Sequence, residues 1–137
     1  MRVDWYQLIL DAQMCRGITL GDDQVWYLCS ILEEHMRDVH MVDFYAYECW
    51  ASNQNDSASL KLAGDFSIIS AGFFPDRFSR YGVSRDYYLL VGRNAYERLA
   101  GIYYIKNKKH FRHYKRLADN VVGISAVLEA ASKLGGK

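Results

Sequence analysis

The sequence is poor in proline, poor in cysteine and free of long apolar runs, and neither charge sign dominates it. Each shortage excludes something. Cys15, Cys29 and Cys49 are odd in number and fit no zinc-binding spacing. Each lies in a helical pattern among apolar residues, so all three are expected to be buried free thiols in a reducing compartment. The longest uncharged run in the apolar centre, Phe66 to Pro75, is far too short to span a bilayer. Asp4, Gln7 and Asp11 interrupt the N-terminal stretch, so no apolar export leader is expected, and the chain reads as cytoplasmic with no membrane partner. Seventeen Lys and Arg against sixteen Asp and Glu give a net +1, which supplies no global pull towards nucleic acid or an acidic surface. No stretch of alternating β-branched residues is long enough to mark a strand.

What the sequence does hold is apolar and helical. Half of its 137 residues are hydrophobic, enough for a core in one domain covering 1–137 without disulfides or metals. Eleven tyrosines against six phenylalanines suit groove walls and subunit interfaces, because each ring carries a polar tip. Trp5, Leu8, Ile9, Ala12 and Cys15 recur at helical spacing before Gly17, a natural terminator. Thr19 or Asp22 is placed to cap a second helix with Val25, Leu28, Cys29, Leu32 and Met36 on one stripe. Phe44, Tyr45, Tyr47, Cys49 and Trp50 mark a short third helix, and a polar loop over 52–57 follows, with Asp56 or Ser57 able to cap the next. In that helix, over 58–73, Ala63, Ser67 and Ala71 repeat every fourth residue, as do Gly64, Ile68 and Gly72. Small residues at this spacing admit a close neighbour, so 58–73 is expected to be the central helix. Glycine inside a helix costs about 1 kcal/mol relative to alanine, so two of them imply a packing reason. Pro75 ends the helix and Ser84 caps the next, which runs to about Ile105; a last helix spans about Phe111 to Leu134. The fold class is all-α, a single-domain bundle of about six helices.

Chemistry could collect in the centre. A carboxylate at Asp65, inside the small-residue helix, needs a cation or several donors. Arg77, Arg80, Arg85 and Arg93 are the available arginines; Asp86 shares a helix face with Arg93, and Arg93 can pair with Glu97 four residues on. The functional reading is a polar pocket formed by Asp65, Arg77, Arg80, Asp86 and Arg93, with Tyr87 and Tyr96 at its rim. The plainer reading is an ion-pair network that fixes how two helices meet.

The run from Gly64 to Ala100 resembles the core of an uncharacterised family of small bacterial helical proteins. The shared elements fall on Gly64-Asp65, on Gly72-Phe73-Phe74-Pro75, on Asp86-Tyr87-Tyr88, on Gly92-Arg93 and on Ala95-Tyr96. The resemblance covers about a quarter of the chain well and implies an all-α bacterial domain, with no activity attached.

A second feature is the stretch Lys106, Lys108, Lys109, Arg112, Lys115 and Arg116, six cations without an acid, which leaves −5 for the remainder. Phe111, Tyr114, His110 and His113 interleave with them. Cations can neutralise phosphates and rings can stack on bases, so 106–116 is a candidate nucleic-acid contact. The plainer reading is a solvated helix start with Phe111 and Tyr114 turned inward. Cations at a helix start oppose its dipole, which favours a partner. His110 and His113 lack a third ligand nearby in sequence, so no metal is expected, and no cofactor is implied.

Three functions follow in order of preference. The first is a non-catalytic protein-interaction or self-assembly module, such as a homodimer, docking through a tyrosine-rich face. The second is nucleic-acid binding through 106–116. The third is an enzyme or small-ligand pocket around Asp65, which needs convergent, unpaired polar groups.

Overall fold

The computed structural model describes residues 3–36, 56–74 and 84–135. The expected helix over 44–50 lies outside the described residues, as do Cys49, Pro75, Arg77, Arg80 and Gly82. Six α-helices are described: α1 (Trp5–Arg16), α2 (Asp22–His35), α3 (Ser57–Phe73), α4 (Arg85–Lys106), α5 (Lys108–Asp119) and α6 (Val121–Gly135). Among the described residues there is no strand, so the chain is all-α.

Local chemistry sets most helix ends. Asp4, Asp56, Ser84 and Asn107 each accept a backbone N–H from the residue three positions on, satisfying a first-turn donor that would otherwise be orphaned. Gly17 ends α1 with φ 65°, a left-handed conformation that glycine takes without steric cost. Helix α2 departs from expectation: Gly21 occupies the N-cap without a side-chain bond, while Asp22 and Asp23 lie in the first turn, where they complement the helix dipole.

The helix expected over 111–134 is two helices. It begins earlier, at Lys108, because Asn107 caps it, and it breaks at Asn120, whose Nδ2 donates to Gln24 Oε1 at 3.2 Å. The two halves serve different neighbours: α5 packs chiefly on α4, and α6 on α1 and α3. A continuous apolar stripe in sequence therefore conceals a change of partner.

One hydrophobic core draws on all six helices, including Ile9, Leu28, Ile68, Leu99, Leu117 and Leu128. Helix α3 runs through its middle and is buried on nearly every side from Ala63 to Gly72. Its small residues admit its neighbours. A Cβ on Gly64 would lie 2.4 Å from Tyr96 Cε1, and one on Gly72 would lie 2.4 Å from Leu128 Cβ. Across the same contact, Gly92 of α4 faces the Cβ of Ser67. The close-packed central helix is thus an observed feature, with α4 seated on one flank and α6 on another.

Gly101 is the opposite case. It is exposed within α4, and a Cβ there would meet nothing within 4 Å. Gly101→Ala should therefore stabilise the protein by about 1 kcal/mol, read as a higher urea midpoint. A lower midpoint would mean that this face of α4 is covered in solution.

Candidate functional site

Asp65 is fully buried, and among the described residues its partners are not the arginines; Arg77 and Arg80 lie outside the described residues. Tyr27 Oη of α2 donates to Asp65 Oδ1 at 2.5 Å, and Tyr96 Oη of α4 donates to the same oxygen at 2.7 Å. Lys61, one turn earlier in α3, donates to Oδ2 at 2.8 Å. Three short donors, one of them charged, replace the water that the carboxylate loses on burial. Tyr96 is itself fully buried rather than at a rim, because Gly64 leaves room for its ring beneath α3.

The described charged residues near this centre, Arg85, Arg93 and Asp86, do not converge on Asp65. Arg85 bridges α3 and α6: Nε donates to the Ala71 carbonyl of α3 at 2.9 Å and Nη2 to Ser125 Oγ of α6 at 3.1 Å. Arg93 is more than half exposed and pairs loosely with Glu97 at 3.7 Å. Asp86 is exposed in the first turn of α4, where its charge suits the helix dipole. What the described residues assemble around Asp65 is a carboxylate met by three donors, from α2, α3 and α4.

Burial shifts the surrounding phenols. Tyr27 and Tyr96 are held well above the usual tyrosine range, first by burial and then by the negative charge of Asp65. Tyr114 rises from 10.0 to about 12 for the same two reasons. Its ring stands 6.2 Å from that of Tyr96 and 5.9 Å from that of Tyr103, both nearly parallel to it. Phenols whose folded pKa is raised contribute stability that is complete below pH 10 and is lost as pH climbs through their folded values. An alkaline titration followed by phenolate absorbance should show Tyr114 ionising at about pH 12, and Tyr27 and Tyr96 ionising late or only together with unfolding. A native-state titration with every tyrosine ionising near 10 would contradict the buried network.

From this anchor the structure opens outward. Helix α2 meets α5 through side chains: Tyr27 lies edge-on to His113 at 4.8 Å and to Tyr114 at 6.2 Å. Between the two helices is a cleft of about 520 Å³, within the size range of ligand sites. Asp23 and Tyr27 line it from α2, and Lys109, His110, Arg112, His113, Tyr114 and Arg116 line it from α5. Asp23 is its one acid; Oδ2 lies 3.3 Å from Arg116 Nη1 and 3.8 Å from His113 Nδ1. Burial lowers the His113 pKa, an effect that Asp23 only partly offsets, so the ring is neutral near pH 7.

The fold sorts the six cations of 106–116 by helix face. Lys109, Arg112 and Arg116 line the cleft. Lys108 points the other way, with Nζ 4.0 Å from the Tyr104 ring centroid, and Lys115 pairs with Glu97 at 3.5 Å and Asp119 at 3.3 Å. Lys106 is exposed in the last turn of α4. Of the two interleaved rings, Tyr114 is buried and Phe111 half-buried against Tyr104, so neither is free to stack on a base. Tyr27 is the residue that the sequence could not bring to this site, because it reaches the cleft and Asp65 from 38 positions away. Lys61 was legible as a partner of Asp65 from its spacing of four.

Of the eight described tyrosines, five are buried or packed against the core, and Tyr6, Tyr87 and Tyr104 are exposed. Tyr88, Tyr96 and Tyr114 are buried, and Tyr27, Tyr103 and Trp5 are packed against the core. Tyr45 and Tyr47 lie outside the described residues. Trp26 is 60% exposed, its ring stacked on that of Tyr6 at 4.6 Å. Of the cysteines, Cys29 is half-buried but Cys15 is exposed, because it falls at the edge of the α1 stripe in the last turn. An open apolar depression of about 320 Å³ among Val3, Trp5, Leu8 and Phe73 carries no titratable side chain. Among the described residues no three His, Cys, Asp or Glu side chains gather as a metal site, and no helix is long and apolar enough to cross a membrane. No protein-family model, curated protein or solved structure matches the chain.

Proposed function

We propose that the chain binds nucleic acid through the cleft between α2 and α5. The observation that carries this reading is the alignment of Lys109, Arg112 and Arg116 along one cleft that holds a single acid, Asp23. Like charges at helical spacing on one wall repel, and a bound polyanion relieves that repulsion. Lysine at the start of α5 also opposes the helix dipole, a cost that a bound polyanion removes. Binding rather than catalysis is the better reading, because Asp65, the one buried carboxylate among the described residues, is already met by three donors and does not itself line the cleft.

Titrating labelled single-stranded RNA and DNA at two salt concentrations tests this. With three phosphate contacts, affinity should fall about tenfold to thirtyfold between 50 and 200 mM salt. The double variant Arg112→Ala/Arg116→Ala should weaken binding and flatten the salt dependence, whereas Lys106→Ala and Lys115→Ala should do less. Absence of a salt-sensitive affinity would remove the reading.

The exposed Tyr6–Trp26 pair favours a second reading, self-association through an aromatic face. It predicts a dimer in sedimentation velocity that Trp26→Ala dissolves; a monomer at all concentrations removes it.

A further inference from the structure

Asp23 stands where a ligand would. It belongs to the first turn of α2 and is 43% exposed, yet its Oδ2 lies between Arg116 Nη1 at 3.3 Å and His113 Nδ1 at 3.8 Å. A carboxylate oxygen beside a guanidinium and an imidazole presents the same acceptor and the same charge sign as a phosphate oxygen, to the same donors. Its neighbour Asp22 complements the helix dipole equally but does not line the cleft. The orientation of Asp23 is therefore not explained by helix capping alone.

On the reading of the cleft as a nucleic-acid site, we infer that Asp23 is an internal stand-in for a backbone phosphate, occupying Arg116 in the free protein and displaced when nucleic acid enters. The contact suits displacement. It is a single N–O approach longer than a charge-assisted bond, between side chains 59% and 43% exposed, so it is weakly held. It is also tethered, which gives it a high effective concentration against any small free anion. Inorganic phosphate must compete with Asp23 for Arg116 alone. A polynucleotide engages Lys109 and Arg112 at the same time and so offsets the loss of the internal pair. The device favours extended polyanions over single ones.

The full chain carrying Asp23→Asn tests this, with single-stranded RNA and DNA as probes and inorganic phosphate as competitor. Asp23→Asn should bind about two- to fivefold more tightly, the worth of an exposed ion pair. Its salt dependence should steepen by about one phosphate contact. Asp22→Asn, with the same change in charge, should differ from wild type by less than about twofold, since it lies outside the cleft. The gain must vanish when Arg116→Ala is added, and inorganic phosphate should compete better against the Asp23→Asn variant than against wild type. If wild type binds and Asp23→Asn binds no more tightly than Asp22→Asn, or the gain persists without Arg116, the stand-in role is overturned and the cleft reading survives. If neither protein binds, both fall.

Discussion

Asp65→Ala should lower the unfolding free energy by about 3–5 kcal/mol, the usual consequence of removing one partner from a buried charged set. The substitution strands two phenol hydroxyls. Tyr96 is fully buried and cannot reach water, so its donor goes unsatisfied, and the lost carboxylate leaves a void beside it. Lys61 suffers less, because about a third of its side chain is already exposed and its ammonium can swing outward. Asp65→Asn should fall between wild type and alanine, since its amide oxygen still accepts from a tyrosine. Urea unfolding gives the comparison. A loss below about 1 kcal/mol for Asp65→Ala would mean that the three contacts do not form in solution. Because Tyr27 joins this set to the cleft wall, the same variant should also weaken oligonucleotide binding with Lys109, Arg112 and Arg116 intact.

Gly72→Ala and Gly64→Ala carry the second large effect, and both run against helix propensity. Alanine in a helix interior would otherwise stabilise by about 1 kcal/mol. At Gly72 the new methyl would sit 2.4 Å from Leu128 Cβ and 3.3 Å from the Glu129 backbone nitrogen, so α6 itself must move. At Gly64 it would meet the Tyr96 ring, which has nowhere to retreat while its hydroxyl holds Asp65. Net losses of about 1–3 kcal/mol are expected, with Gly72 the more costly because backbone must shift. Gly101→Ala, in the same background and with the opposite sign, separates packing from propensity. Equal stabilisation by all three alanines would contradict the close approach of α3 to its neighbours.

Much of this was legible locally. Apolar spacing identified the helices, Ser84, Asp56 and Gly17 marked three of their ends, and Gly64 with Gly72 marked the central one. These are properties of residues within a few turns of each other. The Asp65 site was half legible: a buried carboxylate needed a cation, and Lys61 stood four residues away, but the two tyrosines that complete the set come from other helices. Arg85 has its own partners on α6, 40 residues on, which no local pattern contains. Tyr27 was illegible for the same reason. The basic stretch was visible as charge, but its division into cleft-lining and outward cations depends on which helices α5 packs against. The break at Asn120 was hidden because both halves present apolar residues at the same period to different neighbours.

Backbone amide chemical-shift mapping with a single-stranded oligonucleotide tests the α2–α5 cleft most directly, because it locates the ligand as well as detecting it. Perturbations should concentrate on Asp23 to Tyr27 and on Lys109 to Arg116, with smaller ones at Lys61 and Asp65 through the Tyr27 contact. Perturbations centred on the Tyr6–Trp26 face, or none at concentrations that saturate a salt-sensitive titration, would contradict it.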